Sequence, residues 1–166
     1  MPEAIALLTF ITLQRLAELW WGRANEARLR AAGAVEVGAA HFPLIVALHT
    51  AWIAWLWFRG WDRPLAWPLV AVFVVLQAAR IWVLATLGRR WTTRVLFMPG
   101  ESLVKTGPFR LVPHPNYTVV ALEMVVLPLA FGLVGAAIVF GALNLAMLAW
   151  RIRVEERALT PLRGNP

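Results

Sequence analysis

Apolar residues along this chain come in long runs separated by short polar intervals, and the runs are of bilayer length. A transmembrane helix needs about 20 mainly apolar residues. The first run, from about Ala4 to Trp21, ends in the Trp20–Trp21 pair, a pairing suited to a membrane interface. The polar interval Gly22 to Gly38 reads as an interfacial helix with a turn at Gly33. A second run, about Phe42 to Phe58, is uncharged apart from His49 and leads into the loop RGWDRP. The third covers about Leu65 to Leu87, with Arg80 toward its C-terminal end. A basic, turn-rich connector, GRRWTTRVLFMPGESLVKTGPFR, follows it. Between Arg110 and Arg151 lie 40 residues whose only formal charge is Glu123, with Gly132 and Gly135 near the middle. That stretch predicts a helical hairpin, roughly Asn116–Phe131 and Val134–Trp150, and the tail RIRVEERALTPLRGNP begins as a continuation of its second helix. The pattern predicts an all-α integral membrane protein of about five transmembrane helices, in one domain spanning residues 1–166.

Composition agrees with lipid as the surroundings. Of 166 residues, 60% are apolar and 15% charged, against about 25% charged in an ordinary soluble domain. Ten Trp and a mean hydropathy of +0.66 point the same way. The net charge of +7 raises the question of nucleic acid, and the placement of the charges answers it. With the N-terminus outside, twelve cations face the cytosol: Arg23, Arg28, Arg30, Arg89, Arg90, Arg94, Lys105, Arg110, Arg151, Arg153, Arg157 and Arg163. Only Arg59 and Arg63 lie on the outer side. This is the positive-inside bias of a membrane protein, and no nucleic-acid partner is expected. Zero Cys excludes disulfides, thiolate metal sites and cysteine nucleophiles. The first Arg is Arg15, so the apolar N-terminus lacks the basic region of a signal peptide.

Ionisable groups at membrane depth cost about 2.5–3.5 kcal/mol each on insertion scales, so each requires a reason. Arg15 and Glu18 stand at i,i+3 and can satisfy each other. Arg80 either snorkels to the interface on its long stem or serves a site. Glu123 needs a partner or a proton, which a structural ion pair would supply as readily as chemistry. The segment GPFRLVPHPNY is unusually stiff, because Pro108, Pro113 and Pro115 each fix φ and constrain the residue before them. Its bland reading is a proline-rich stop opening a helix at Asn116; its functional reading is a rigid backbone offering His114 and polar groups to a ligand. In the tail, Arg151 and Glu155 stand at i,i+4 on one helix face. A salt-bridged helix end explains them, and so does a ligand with cationic or hydroxyl groups. There is no G-x-G-x-x-G, Walker A or H-E-x-x-H motif. His41, His49 and His114 lack metal-ligand spacing, so no metal is expected.

Together, RIWVLATLGRRW (80–91), LVKTGPFRLVPHPNY (103–117) and RIRVEERAL (151–159) resemble the isoprenylcysteine carboxyl methyltransferase family of S-adenosylmethionine-dependent membrane enzymes. RLAEL, RANEARLRAAGAVEVGAAHFP, IVALH and HPNYTVVALE further resemble a bacterial branch associated with O-methylation of alkylpyrones and phenolic lipids from type III polyketide synthases. The resemblance implies N-terminal helices over 1–64, a catalytic core over 65–166 and a cytosolic cofactor pocket built from the connector and the last two helices. By motif position Glu101, Ser102, Leu103, Val104, Phe109, His114, Pro115, Asn116, Tyr117 and Glu155 would hold S-adenosylmethionine. Arg80 and Arg151 match residues that family members place at the methyl-acceptor site. The chain departs from the family in having Pro113 before His114, Phe109 where Tyr is usual, and YTVV where Gly often follows the Tyr. These departures bear on the acceptor more than on the cofactor.

Methyl transfer from a sulfonium asks chiefly for in-line positioning of the acceptor oxygen. A carboxylate or an acidic enol would be held by Arg80 or Arg151, while a neutral phenol would need Glu123 or His114 as base. The sequence-level expectation is an O-methyltransferase in a bacterial cell membrane, with a lipophilic acceptor and membrane lipid as its partners. An alkylpyrone or phenolic acceptor is the first choice and a prenylcysteine-type carboxylate the second. The competing expectations are a non-catalytic scaffold or transporter subunit, and a sterol-reductase-like enzyme that would bind nicotinamide.

Overall fold

The structure is a computed structural model and describes residues 1–98 and 104–163, with side chains to residue 157. Five long helices form: α1 (Pro2–Ala31), α2 (Phe42–Gly60), α3 (Trp67–Leu87), α4 (Pro115–Ala130) and α5 (Val134–Arg163). Each of the first four carries a proline in its first turn, where a missing N–H costs nothing and the fixed φ suits a helix. The predicted hairpin turns at Gly132, whose φ of +68° favours a residue without Cβ, and Leu133 N–H closes it onto the Pro128 carbonyl at 2.8 Å.

Three helical stretches, Ala39–Gly60, Trp67–Arg90 and Val134–Arg157, are long and apolar enough to cross a membrane by length and composition. α4 is apolar but shorter. α1 carries Arg15 and Glu18 at mid-length. Large apolar side chains such as Leu13, Leu16, Trp20, Val74, Val75, Ile81, Ile138 and Leu143 point outward, as befits helices whose surroundings are lipid. The inward-facing set is Ala4, Leu8 and Ile11 of α1, Trp52 and Leu56 of α2, Phe73 of α3, and Val120, Met124 and Leu127 of α4, with Phe131, Leu133 and Ala136. This apolar core fills the end of the bundle that contains the hairpin turn.

The opposite end differs from the sequence reading. Gly22 to Gly38 is not a separate interfacial helix: α1 runs on to Ala31, and the turn at Gly33 leads into a strand, β1 (Val35–Val37). That strand pairs antiparallel with β2 (Val95–Phe97) in the connector, in the register Val35↔Phe97, Glu36↔Leu96 and Val37↔Val95. The ribbon joins the N-terminal part of the chain to the connector before α4.

Candidate functional site

Among the described residues, two networks of buried or half-buried polar side chains stand out. The first joins α1, α3 and α4. Glu18 accepts hydrogen bonds from Arg80 Nε at 2.6 Å, Arg80 NH2 at 3.1 Å, Arg15 NH1 at 3.0 Å and Gln14 Nε2 at 3.1 Å. Glu123 accepts from Arg15 NH2 at 2.6 Å, Arg80 NH1 at 2.8 Å and Gln77 Nε2 at 2.8 Å. Arg15 and Glu18 do pair, and Arg15 also reaches across to α4. Arg80 does not snorkel: it is 3% exposed, its charge met by Glu18 and Glu123. Glu123 is 0% exposed and paired rather than free. Two guanidiniums face two carboxylates, so the quartet is neutral as a whole. Charges in low dielectric persist only when paired and hydrogen-bonded in this way.

The second network borders open space. A cavity of about 330 Å³ lies between the β-ribbon, the connector and the ends of α4 and α5. The proline-fixed segment Pro113–Tyr117 forms one side of it, and Arg151 and Glu155 project into it from α5. Tyr117 joins them: its hydroxyl accepts from Arg151 Nε at 2.9 Å and donates to Glu155 Oε2 at 2.8 Å. The Tyr117 ring stacks on His114 at 5.3 Å and is capped by the Arg151 guanidinium at 5.3 Å. Arg151 NH2 also donates to the Thr93 carbonyl at 2.9 Å, which ties the helix pair to the connector. Two further polar atoms of lining residues are buried without a partner, the Trp91 indole Nε1 and the Asn116 Oδ1. The first can only donate and the second can only accept.

Of the residues singled out by resemblance, Val104, Phe109, His114, Pro115, Asn116, Tyr117, Glu155 and Arg151 share this one cavity. Glu101, Ser102 and Leu103 lie outside the described residues. Arg80 is not on the cavity wall but in the quartet. The wall also contains residues that the sequence reading did not single out: Leu29, Ala34 and Val37 from the N-terminal part, and Leu87, Trp91, Arg94, Val95, Phe97 and Met98 from the connector. The ribbon brings these two groups together. The available signal was the pair of short β-branched runs, VEV after Gly33 and VLF before the next turn, each too brief to stand out from its helical surroundings.

Charged side chains fasten the ribbon beside the cavity. Glu36 takes a hydrogen bond from Arg94 NH1 at 2.5 Å and another from Arg30. Partial burial alone would raise the Glu36 carboxyl, but these two arginines hold it below the usual carboxylate range. Arg94 in turn lies over the Phe42 ring at 4.0 Å. Among the described residues no cluster of three or more His, Cys, Asp or Glu is arranged to hold a metal ion.

Comparison with known proteins bears on what this cavity is for. The chain is 36% identical over 159 residues to a Bacillus subtilis (strain 168) protein, "Uncharacterized protein YpbQ", covering 92% of this chain and 94% of that one. It is 26% identical over 144 residues to an "Uncharacterized protein" of Haemophilus influenzae, covering 83% and 84%. No solved structure matches. The profile of the isoprenylcysteine carboxyl methyltransferase (ICMT) family matches residues 69–161, which take in Arg80, the connector, the whole of α4 and the Arg151–Glu155 stretch of α5. More than half of the chain is matched, and this protein therefore belongs to the ICMT family of membrane methyltransferases.

Proposed function

We propose that this protein is an S-adenosylmethionine-dependent O-methyltransferase acting at the membrane on a lipid-like acceptor, and that the cavity beside Arg151, Tyr117 and Glu155 is its active site. The observation that carries the reading is the pairing of that polar chain with an otherwise largely apolar wall. The residues present fit the cofactor chemically. Glu155 offers a carboxylate to its ammonium group, and His114 offers a donor to its carboxylate. The orphaned Trp91 N–H and Asn116 carbonyl oxygen suit polar edges of an adenine or ribose, since a buried polar group without a partner costs about 1–3 kcal/mol. Val104, Phe109 and Pro115 supply apolar contact, and Glu101, Ser102 and Leu103 complete the proposed cofactor set by resemblance.

When bound, the cofactor supplies a methyl group activated by a sulfonium. The protein's share is positioning and charge. Arg151, already oriented by Tyr117 and the Thr93 carbonyl, is the cation that holds an anionic acceptor oxygen. An orientation fixed before the acceptor arrives lowers the entropic part of the barrier. Tyr117 is committed at both its donor and acceptor roles, so it orients rather than exchanges protons. An acceptor that arrives as an anion needs no base, which favours an alkylpyrone or acidic phenolic lipid first and a prenylcysteine-type carboxylate second. Arg80 enters the proposal as a residue that holds α1, α3 and α4 together next to the active site, its guanidinium being taken up by Glu18 and Glu123. The charge ledger of the loops supports an N-terminus outside and a cavity on the cytosolic face.

The test is calorimetric binding of S-adenosylhomocysteine, the demethylated product, to detergent-purified protein beside Glu155→Ala and His114→Ala. Saturable binding by wild type that is lost in both folded variants is the expected result. A well-folded wild type that binds none would overturn the proposal.

A further inference from the structure

The face that α1 turns toward the connector is shaped for close approach. Gly22, Asn25 and Glu26 stand at i, i+3 and i+4 and so project from one side of the helix. A Cβ at Gly22 would fall 2.9 Å from Thr93 Cγ2 and 3.3 Å from the Trp91 ring, so the missing side chain is what lets the two segments meet. One turn on, Asn25 is 0% exposed and donates through Nδ2 to the Trp91 carbonyl at 2.7 Å. Glu26 is 8% exposed, and its Oε1 accepts from the Thr93 hydroxyl at 2.8 Å and the Arg94 backbone N–H at 3.2 Å. Its second oxygen faces Arg94 Nε at 3.5 Å.

These bonds do more than dock a helix. The residue that Glu26 grips, Thr93, gives its carbonyl oxygen to Arg151 NH2. Arg151 donates to Tyr117, and Tyr117 donates to Glu155. An unbroken path of hydrogen bonds therefore runs from Glu26 through Thr93, Arg151 and Tyr117 to Glu155, crossing from α1 to the connector, α5, α4 and back to α5. Glu26 and Thr93 are not on the cavity wall, whereas the last three residues are. Glu26 also lies outside the residues matched by the family profile.

We propose that Glu26 is a positioning residue for the cavity: by holding Thr93 it fixes the direction of the Arg151 guanidinium, and through it the Tyr117 hydroxyl and the Glu155 carboxylate. The N-terminal helix is on this account part of the active-site apparatus rather than only a membrane anchor. The geometry stands by itself, and its expected effect on ligand affinity rests on the function proposed above.

The test pairs an affinity with a geometric readout. S-adenosylhomocysteine is titrated into wild type, Glu26→Ala, Glu26→Gln, Arg151→Met and the Glu26→Ala/Arg151→Met double variant. The Arg151 Nε–H signal is followed in parallel by NMR with nitrogen-labelled arginine. Loss of a charge-assisted hydrogen bond predicts binding about tenfold weaker in Glu26→Ala. Glu26→Gln, whose amide oxygen still accepts from Thr93 and Arg94, keeps near wild-type affinity. If Glu26 acts through Arg151, the double variant binds no worse than Arg151→Met alone, because coupled sites are not additive. Full additivity, or an unchanged affinity in Glu26→Ala, overturns the proposal. The Arg151 signal is expected to move in Glu26→Ala and to return in Glu26→Gln; a signal unmoved by either overturns the proposal as well. That readout needs no ligand, so a wild type that fails to bind would refute the proposed function and leave this inference open to its own refutation. Should Glu26→Ala not fold, Thr93→Val carries the same expectation, since it removes the hydroxyl that Glu26 accepts and keeps the carbonyl that Arg151 uses.

Discussion

The quartet of Arg15, Glu18, Arg80 and Glu123 and the half-buried chain of Arg151, Tyr117 and Glu155 are both charged, yet they differ in what lies beside them. The two lie close along the bundle, Tyr117 and Glu123 being six residues apart on α4, or roughly 9 Å of helical rise. In the quartet every carboxylate oxygen is taken, the charges cancel, and the residues lie off the cavity wall. In the cavity chain the same types of side chain line open space, flanked by the unpartnered Trp91 N–H and Asn116 oxygen. A closed network joins helices; an open one borders space that a ligand can enter. Burial of charge in a membrane protein therefore does not by itself mark the site. Open space beside it does, because buried orphans occur in both places, Arg15 Nε and Gln14 Oε1 at the quartet and Trp91 Nε1 and Asn116 Oδ1 at the cavity.

If that distinction holds, the largest effect should come from breaking the closed network. Arg80→Met leaves Glu18 and Glu123 short of a cation in a dry interior, and the expected loss is about 3–5 kcal/mol of stability, read by denaturant titration in detergent. Replacing all four charges together by apolar residues of similar size should recover most of that loss, because no unpaired charge then remains. A smaller effect is expected where α1 meets the connector. Gly22→Ala forces a methyl group to within 2.9 Å of Thr93 and should cost about 1–3 kcal/mol, measured in the same way.

In the open network the expected loss falls on binding rather than stability. Tyr117→Phe removes the hydroxyl that links Arg151 to Glu155 and should weaken S-adenosylhomocysteine binding roughly three- to tenfold with little change in Tm. A variant that loses stability but keeps its affinity would place Tyr117 with the quartet instead. The smallest effect concerns Glu36, which is partly open to solvent. Its folded-state carboxyl is held below the ordinary value of 4.5, so it releases its proton more readily in the native protein than in the unfolded chain. The stability it contributes is therefore present above that value and is lost as the pH falls through the lowered one. A slightly flatter acid limb in Glu36→Gln, seen in thermal melts across acidic pH, is the expected result.

Much of the architecture was legible because helices in lipid announce themselves by length and hydropathy. The α2, α3, α4 and α5 boundaries follow from apolar runs ended by Gly or opened by Pro, as at Phe42–Pro43, Trp67–Pro68 and Pro115. Arg15 and Glu18 could be paired from their spacing, since i,i+3 is a local relation. Their contacts with Arg80 and Glu123 could not, because those partners are brought together only by the packing of α1, α3 and α4. The cavity residues from Val104 to Tyr117 could be gathered by motif because they are nearly continuous in sequence. The ribbon was missed because strands of three residues carry almost no periodicity, and with it went the contribution of Leu29, Ala34 and Val37 to the cavity. Glu26 falls in the stretch that reads as an interfacial helix, and nothing local says that the missing side chain of Gly22, one turn earlier, lets it meet Thr93.

The most direct test of the central claim makes the same substitution in both networks. Arg151→Met and Arg80→Met are purified side by side with wild type, and each is titrated with S-adenosylhomocysteine and melted. The cavity account predicts that Arg151→Met stays folded, loses less stability than Arg80→Met, and loses binding at least about tenfold. It predicts that Arg80→Met is markedly less stable, with the folded fraction binding as wild type does. Binding that survives in Arg151→Met and disappears in folded Arg80→Met would contradict it and move the site to the quartet.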